Sequence, residues 1–299
     1  MRKEIVLPGI TVGAGVVGFL ARRWELATAF EPDTGLVTPG MPATYTLLGL
    51  SAVVAVVLAL LCRGRHNPLT GGYDQAFQAR GNTVYITAVV LSAFLLLGAA
   101  VLIALGLPED YRQAVLTLQA SQARGNPLLT IMPKVLLSAL CFISGLCVIA
   151  TGKNNYRGEG RGKYSFTILM PAYTCCLWLI AAYQQRAADP VILDYLYELF
   201  AIITALLGLY FTAGFSFERA KVFRASFFSL LGVYFSMVTL ADHHSLGTVL
   251  LYGFVIVYLL ISTHVLLFNA AQPEGPRMCP PDRPARGQGE YETEETPDE

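Results

Sequence analysis

Apolar residues in this chain gather into long unbroken runs, without the three-to-four-residue period of a surface helix or the alternation of a half-buried strand. A helix rising 1.5 Å per residue needs about 20 residues to cross a hydrocarbon core of about 30 Å. Eight runs meet that length, near residues 5–28, 42–62, 83–107, 131–151, 165–183, 191–215, 224–241 and 247–268. The pattern predicts an all-α polytopic transmembrane helix bundle over residues 1–270. The remaining stretch, 271–299, is rich in Pro, Gly and Glu, cannot bury enough apolar surface to fold, and is expected to be a disordered tail.

Polar positions orient the bundle. Cytoplasmic loops retain Lys and Arg, and translocated loops lose them. Fifteen of the 21 basic residues fall on the side of the N-terminus, among them Arg63, Arg80, Lys153, Arg157, Arg219, Lys221 and Arg224. Arg112, Arg124 and Arg186 fall on the opposite side, so both termini are expected in the cytoplasm. The opening "MRKE", an apolar stretch and "ATA" at 27–29 imitate a cleaved signal peptide, which would leave seven spans. The charged "RRWE" between stretch and cut, and the length of the stretch, argue against cleavage. Outside, "PEDYRQAVLTLQASQAR" opens with Pro108 and two acids and places Tyr111, Val115 and Leu118 on one face, as a short interfacial helix would.

Composition supports the membrane reading. Hydrophobic residues make up 54% and charged residues 14%, against about 25% charged in a soluble domain. Mean hydropathy is +0.52. A formal net charge of zero supplies no field for nucleic acid, and the partners expected are the bilayer and either a small polar solute or another membrane subunit. None of the six cysteines is spaced as a zinc site or a disulfide framework, and Cys175 and Cys176, adjacent within a span, point about 100° apart as small apolar residues. No Asn-X-Ser/Thr acceptor occurs, which with the short loops favours a bacterial plasma membrane. The stretch "ATAFEPDTGLVTPG" followed by a span resembles uncharacterised multi-pass membrane proteins of Gram-positive bacteria. The resemblance covers the first fifth of the chain, implies architecture only, and assigns no functional residue.

Candidate chemistry is sparse. "GEGRGKYS" at 158–165 departs from the phosphate-loop pattern at Arg157 and Tyr164 and reads as a basic cytoplasmic turn. "ADHHSLG" places Asp242, His243 and His244 in an outer loop, suitable in type for a divalent metal but poorly spaced, so a solvated turn is expected and no metal or other cofactor is assigned. His264, near the inner end of the last span, can reach water or a carbonyl. No hydrolase frame such as H-E-x-x-H or G-x-S-x-G occurs, and the chain is not read as an enzyme.

The remaining charges converge on the outer leaflet. Gly15, Gly18, Arg22 and Glu25 share one stripe of the first span, whose glycines let helices approach closely, so that helix is expected to pack centrally with Arg22 aimed inward. A buried arginine needs a partner. Asp194 and Glu198, one turn apart in "LDYLYELF", are carboxylates at matching depth, and Lys134 at the head of the fourth span can join them or snorkel. The bland alternative places Tyr195 and Tyr197 in an aromatic belt at a wet interface. An outward-facing cluster of Arg22, Glu25, Lys134, Asp194 and Glu198 is therefore expected, serving a small polar or ionic solute or, alternatively, only tying helices together in a structural or partner-binding subunit.

Overall fold

The computed structural model describes residues 3–31, 36–64, 72–120, 126–158, 165–186, 191–217, 219 and 221–271. The tail after Ala271 and residues 159–164 of the glycine-rich turn lie outside the described residues. The fold is an all-α bundle, and all eight expected spans are helices long and apolar enough to cross a membrane. They are α1 (Lys3–Thr28), α2 (Pro42–Cys62), α4 (Thr83–Ala120), α5 (Pro127–Arg157), α6 (Ser165–Arg186), α7 (Ile192–Ala213), α8 (Val222–Thr239) and α9 (Leu246–Ala271). A short α3 (Gly72–Ala76) lies between α2 and α4. The chain is a multi-pass membrane protein.

Helix ends follow local chemistry. α5 starts where Asn126 accepts the Leu128 amide at 3.0 Å and Pro127, whose missing N–H would be unpaired anyway, fills the first turn. It stops at Gly158, whose φ of 66° is a left-handed cap costly for other residues. α4 departs from the sequence reading. Pro108 does not begin a separate interfacial helix; it sits inside one helix of 38 residues, about 57 Å long, that continues beyond the hydrocarbon. The proline removes a single ladder bond, the one its missing N–H would make to the Ala104 carbonyl, on an exposed face at the end of the apolar run. Ala114 is the buried position of this extension, whereas Tyr111 is exposed.

The centre of the bundle is α8 and α9. Of the apolar window of α8, 67% is buried, against 22% for α1. α1 is thus a peripheral helix, contrary to the central place its glycines suggest, because only one edge of it is flush with the bundle. Gly15 and Gly18 lie on that edge against Met237, Val238 and Tyr234, while Gly9 and Gly13 meet no neighbour within 4 Å. α7 and α8 cross most closely, backbone to backbone, at Gly208 and Gly232. Hydroxyl hydrogen bonds join further helix pairs: Ser51 with Tyr234 at 3.0 Å, Ser144 with Thr174 at 2.6 Å, and Ser138 donating to the Ala100 carbonyl at 2.9 Å. In lipid, where helix faces gain little from hydrophobic burial against one another, such contacts and close packing supply the association energy.

The end bearing most of the basic loops is filled. α3 and the turn after it fold back into the bundle, stacking Tyr73 on Phe77 at 4.7 Å and Phe77 edge-on to Phe215 at 5.5 Å. Asn155 donates to the hydroxyls of Tyr73 and Tyr85 at 3.1 and 2.8 Å, and Asn269 donates to the carbonyls of Ala76 and Gln78 at 2.9 and 3.0 Å. Burial holds the Tyr73 hydroxyl neutral, well above its ordinary pKa. Nothing in the sequence separated this plug from an ordinary loop.

The orientation expected from the basic loops makes this plugged end cytoplasmic. Single cysteines at positions 36 and 118, in a background lacking the native six, should react with an impermeant thiol reagent in intact cells, and a cysteine at 158 should not. The reverse pattern would invert the topology.

Candidate functional site

At the opposite end, the α1 stripe delivers Arg22 into the bundle. α1 and α8 run side by side in the same direction. The contacts of Gly15 with Met237 and of Gly18 with Val238 therefore lead, one turn on, to Arg22 beside the α8 C-terminus. There the amides of Leu240, Ala241 and Asp242 bond back to Ser236, Val238 and Thr239, and this tight turn presents the Asp242 carboxylate. Arg22 Nε donates to Asp242 Oδ1 at 2.7 Å, Nη1 to Glu25 Oε2 at 2.8 Å and to the Leu193 carbonyl at 3.2 Å, and Nη2 to the Asp194 carbonyl at 2.7 Å. The guanidinium lies 5.1 Å from the Tyr197 ring centroid and 5.7 Å from that of Phe30. Arg22 and Glu25 are fully buried. A planar fork with five N–H groups suits such a convergence of acceptors, and the rings add cation–π attraction.

These contacts correct the expected pairing. Arg22 does bind the head of α7, but through two main-chain carbonyls; the Asp194 and Glu198 carboxylates turn the other way, to Arg186. Arg186 lies 3.1 Å from Asp194 Oδ2 and 3.6 Å from Glu198 Oε2. Its charge is legible in the sequence, where the sorting of basic residues assigns it to a loop and gives no sign of these partners. Lys134 does not join Arg22 either, because it is 2.6 Å from Asp110 on α4. Tyr197 is 1% exposed, too buried for an interfacial belt. The single expected cluster is therefore two: a closed hub around Arg22, and a separate set of charges around a cleft.

The cleft, of about 630 Å³, opens at this end between α4, α5, α6, α7, the loop after α8 and the start of α9. Lys134 and Asp110 line one wall, Arg186 and Glu198 another, with His243 and His244 at the loop. Trp178 and Leu251 supply apolar lining, and the Trp178 ring packs against Tyr252 at 4.8 Å. The volume lies within the range of about 300 to 1,000 Å³ typical of small-molecule sites. Comparison with known families, curated proteins and solved structures finds no match. Function has to be read from the site itself.

His244 is part of the wall of the cleft. Its Nε2 donates to the Thr239 carbonyl at 2.8 Å, its ring lies 5.1 Å from that of Tyr252, and the Thr239 hydroxyl bonds Asp242 Oδ2 at 3.0 Å. Asp242 faces inward, His243 faces solvent, and among the described residues no group of three or more His, Cys, Asp or Glu side chains is arranged to hold a metal ion. Asp242 belongs to the Arg22 hub rather than to the solvated turn its sequence suggests, because it ends the span next to the one carrying Arg22 in space. At the far end, His264 Nδ1 bonds the Glu4 carbonyl at 2.8 Å, a purely structural tie between α9 and α1. Cys175 is buried and Cys176 exposed, as two neighbours on one helix must diverge.

Proposed function

We propose that the protein binds a small polar or ionic solute from the outer side of a bacterial plasma membrane, without covalent chemistry, and that this binding is the first step of its transport. The observation that supports the reading is the cleft: it opens outward, is lined by two opposite-charge pairs at its walls, and lies above a bundle whose other end is plugged by α3 and its aromatic contacts. Ionisable groups near membrane depth are costly to keep and are associated with solute and ion pathways. The Arg22 hub serves a different purpose. Its donors are engaged within the chain by acceptors from α1, the α8 turn and α7, so it ties the cleft's supporting helices together rather than meeting a solute.

A solute that binds the folded state raises apparent stability, by about 2.7 kcal/mol at a hundred times its dissociation constant. Melting of the purified full chain in detergent is therefore to be followed against amino acids, short peptides, organic acids, amines, sugars and inorganic ions. At least one class should raise the melting temperature of the parent, and the shift should shrink in Lys134→Gln and Glu198→Gln. If no class stabilises the parent, the binding reading fails and a structural subunit without a ligand of its own is the better account.

A further inference from the structure

The two charge pairs of the cleft are unequal, and the inequality has a chemical consequence. Arg186 is closer to Asp194, at 3.1 Å, than to Glu198, at 3.6 Å, so it keeps a counter-ion whether or not Glu198 is engaged elsewhere. Glu198 is the loosely held member. Its side chain is 10% exposed, it lines the cleft, and its ion pair with Arg186 is longer than a hydrogen bond. A nearly buried carboxylate whose ion pair is this long can still accept a hydrogen bond from a cationic donor. On α5, in the same lining, Lys134 spends one of its three N–H donors on Asp110, at 2.6 Å, and is 27% exposed, which leaves donors for a second anion. Trp178 lies in the same lining, packed on Tyr252 and 4% exposed, so a ligand meets only the edge of its ring.

Resting on the solute-binding reading above, we propose that the ligand is an amphipathic zwitterion, an amino acid or short peptide with an apolar side chain, its ammonium on Glu198, its carboxylate on Lys134 and its side chain against Trp178. A ligand of one charge sign satisfies only one of the two walls. An anion leaves Glu198 as loosely paired as before, and a cation leaves the spare donors of Lys134 unused. A zwitterion engages both and brings no net charge into the site. This is electrostatic complementarity between ligand and cleft rather than attraction to a net field, which the chain does not possess.

The chain contains two tryptophans, and Trp24 is exposed on α1, away from the cleft lining. Trp24→Phe therefore leaves Trp178 as the sole tryptophan of the full-length protein, and its emission is read with excitation at a wavelength that the 15 tyrosines do not absorb. Titration of this variant in detergent with leucyl-leucine should give a saturable change in Trp178 emission. N-acetyl-leucyl-leucine, which lacks the ammonium, and leucyl-leucinamide, which lacks the carboxylate, should each bind at least about tenfold more weakly. Glu198→Gln should weaken the dipeptide about tenfold and leave the acetylated form unchanged. Lys134→Gln should weaken the dipeptide and leave the amide unchanged. Unaltered ligand-free emission and melting temperature certify that each variant is folded. If either capped peptide binds as tightly as the dipeptide, or if another class of solute alone stabilises the protein, the zwitterion assignment fails while solute binding stands. If no solute of any class binds, both fall.

Discussion

Replacing Arg22 with alanine is expected to lower the stability of the bundle by about 3 to 5 kcal/mol, the usual cost of removing one partner from a buried ion pair. The substitution strands Glu25, which is fully buried, and Asp242, whose side chain is 9% exposed. It also removes the donor for two carbonyls at the head of α7. The identity of the partners can be tested. Adding Glu25→Gln and Asp242→Asn to Arg22→Ala should recover part of the loss, because the stranded charges are then gone. Adding Asp194→Asn should recover nothing, since Asp194 meets Arg22 through its main chain. Arg22→Lys should lose much of the same stability, because one ammonium cannot reach four acceptors spread around a planar fork. Melting in detergent or unfolding by denaturing detergent reads these effects. Recovery with Asp194→Asn but not with Asp242→Asn would mean that the hub is assembled differently.

Gly232→Ala should destabilise by about 1 to 3 kcal/mol, the cost of overpacking a tight contact. A methyl group at that position would sit 3.0 Å from the amide nitrogen of Ala205 and 3.1 Å from its Cα. Both are backbone atoms of α7, which cannot swing aside as a side-chain tip can. A methyl group on Gly208, one turn along the same crossing, would meet the Cα of Ser229 at 3.0 Å and should have the same effect. Separating α7 from α8 would also displace Glu198 and the carbonyls that hold Arg22, so Gly232→Ala should reduce solute binding at the cleft together with stability. Gly49→Ala on α2, which would meet nothing within 4 Å, is the control and should cost nothing. Equal melting temperatures for Gly232→Ala and Gly49→Ala would show that the α7–α8 crossing is looser than described.

The class of the fold and the position of every span were legible in the sequence, because a bilayer imposes a length and an apolar content on any helix that crosses it. The inward aim of Arg22 was legible as well. Gly15, Gly18, Arg22 and Glu25 recur at helical spacing, and all four are buried in the structure. What periodicity along one helix cannot supply is the identity of its neighbours. Arg22 faces Asp242, 220 residues away in sequence, because α1 lies along α8. Glu198, one turn from Asp194, faces Arg186 because α6 and α7 adjoin. The same limitation hid the plug: residues 72–82 carry no span-length apolar run, and only the packing of Tyr73 and Phe77 against Phe215 and Asn155 distinguishes them from a loop.

The sequence alone therefore determined that the chain crosses a membrane about eight times, which charges lie near the same end of it as Arg22, and which edge of α1 packs. These are local properties, set by hydrophobic length, by the sorting of basic loops and by the 3.6-residue turn. Tertiary structure decided that the outer charges divide into a closed hub at Arg22 and an open cleft between Lys134 and Glu198. That division depends on which helices are neighbours and how closely they approach. Contacts between residues distant in sequence, at glycines such as Gly18 and Gly232, set both.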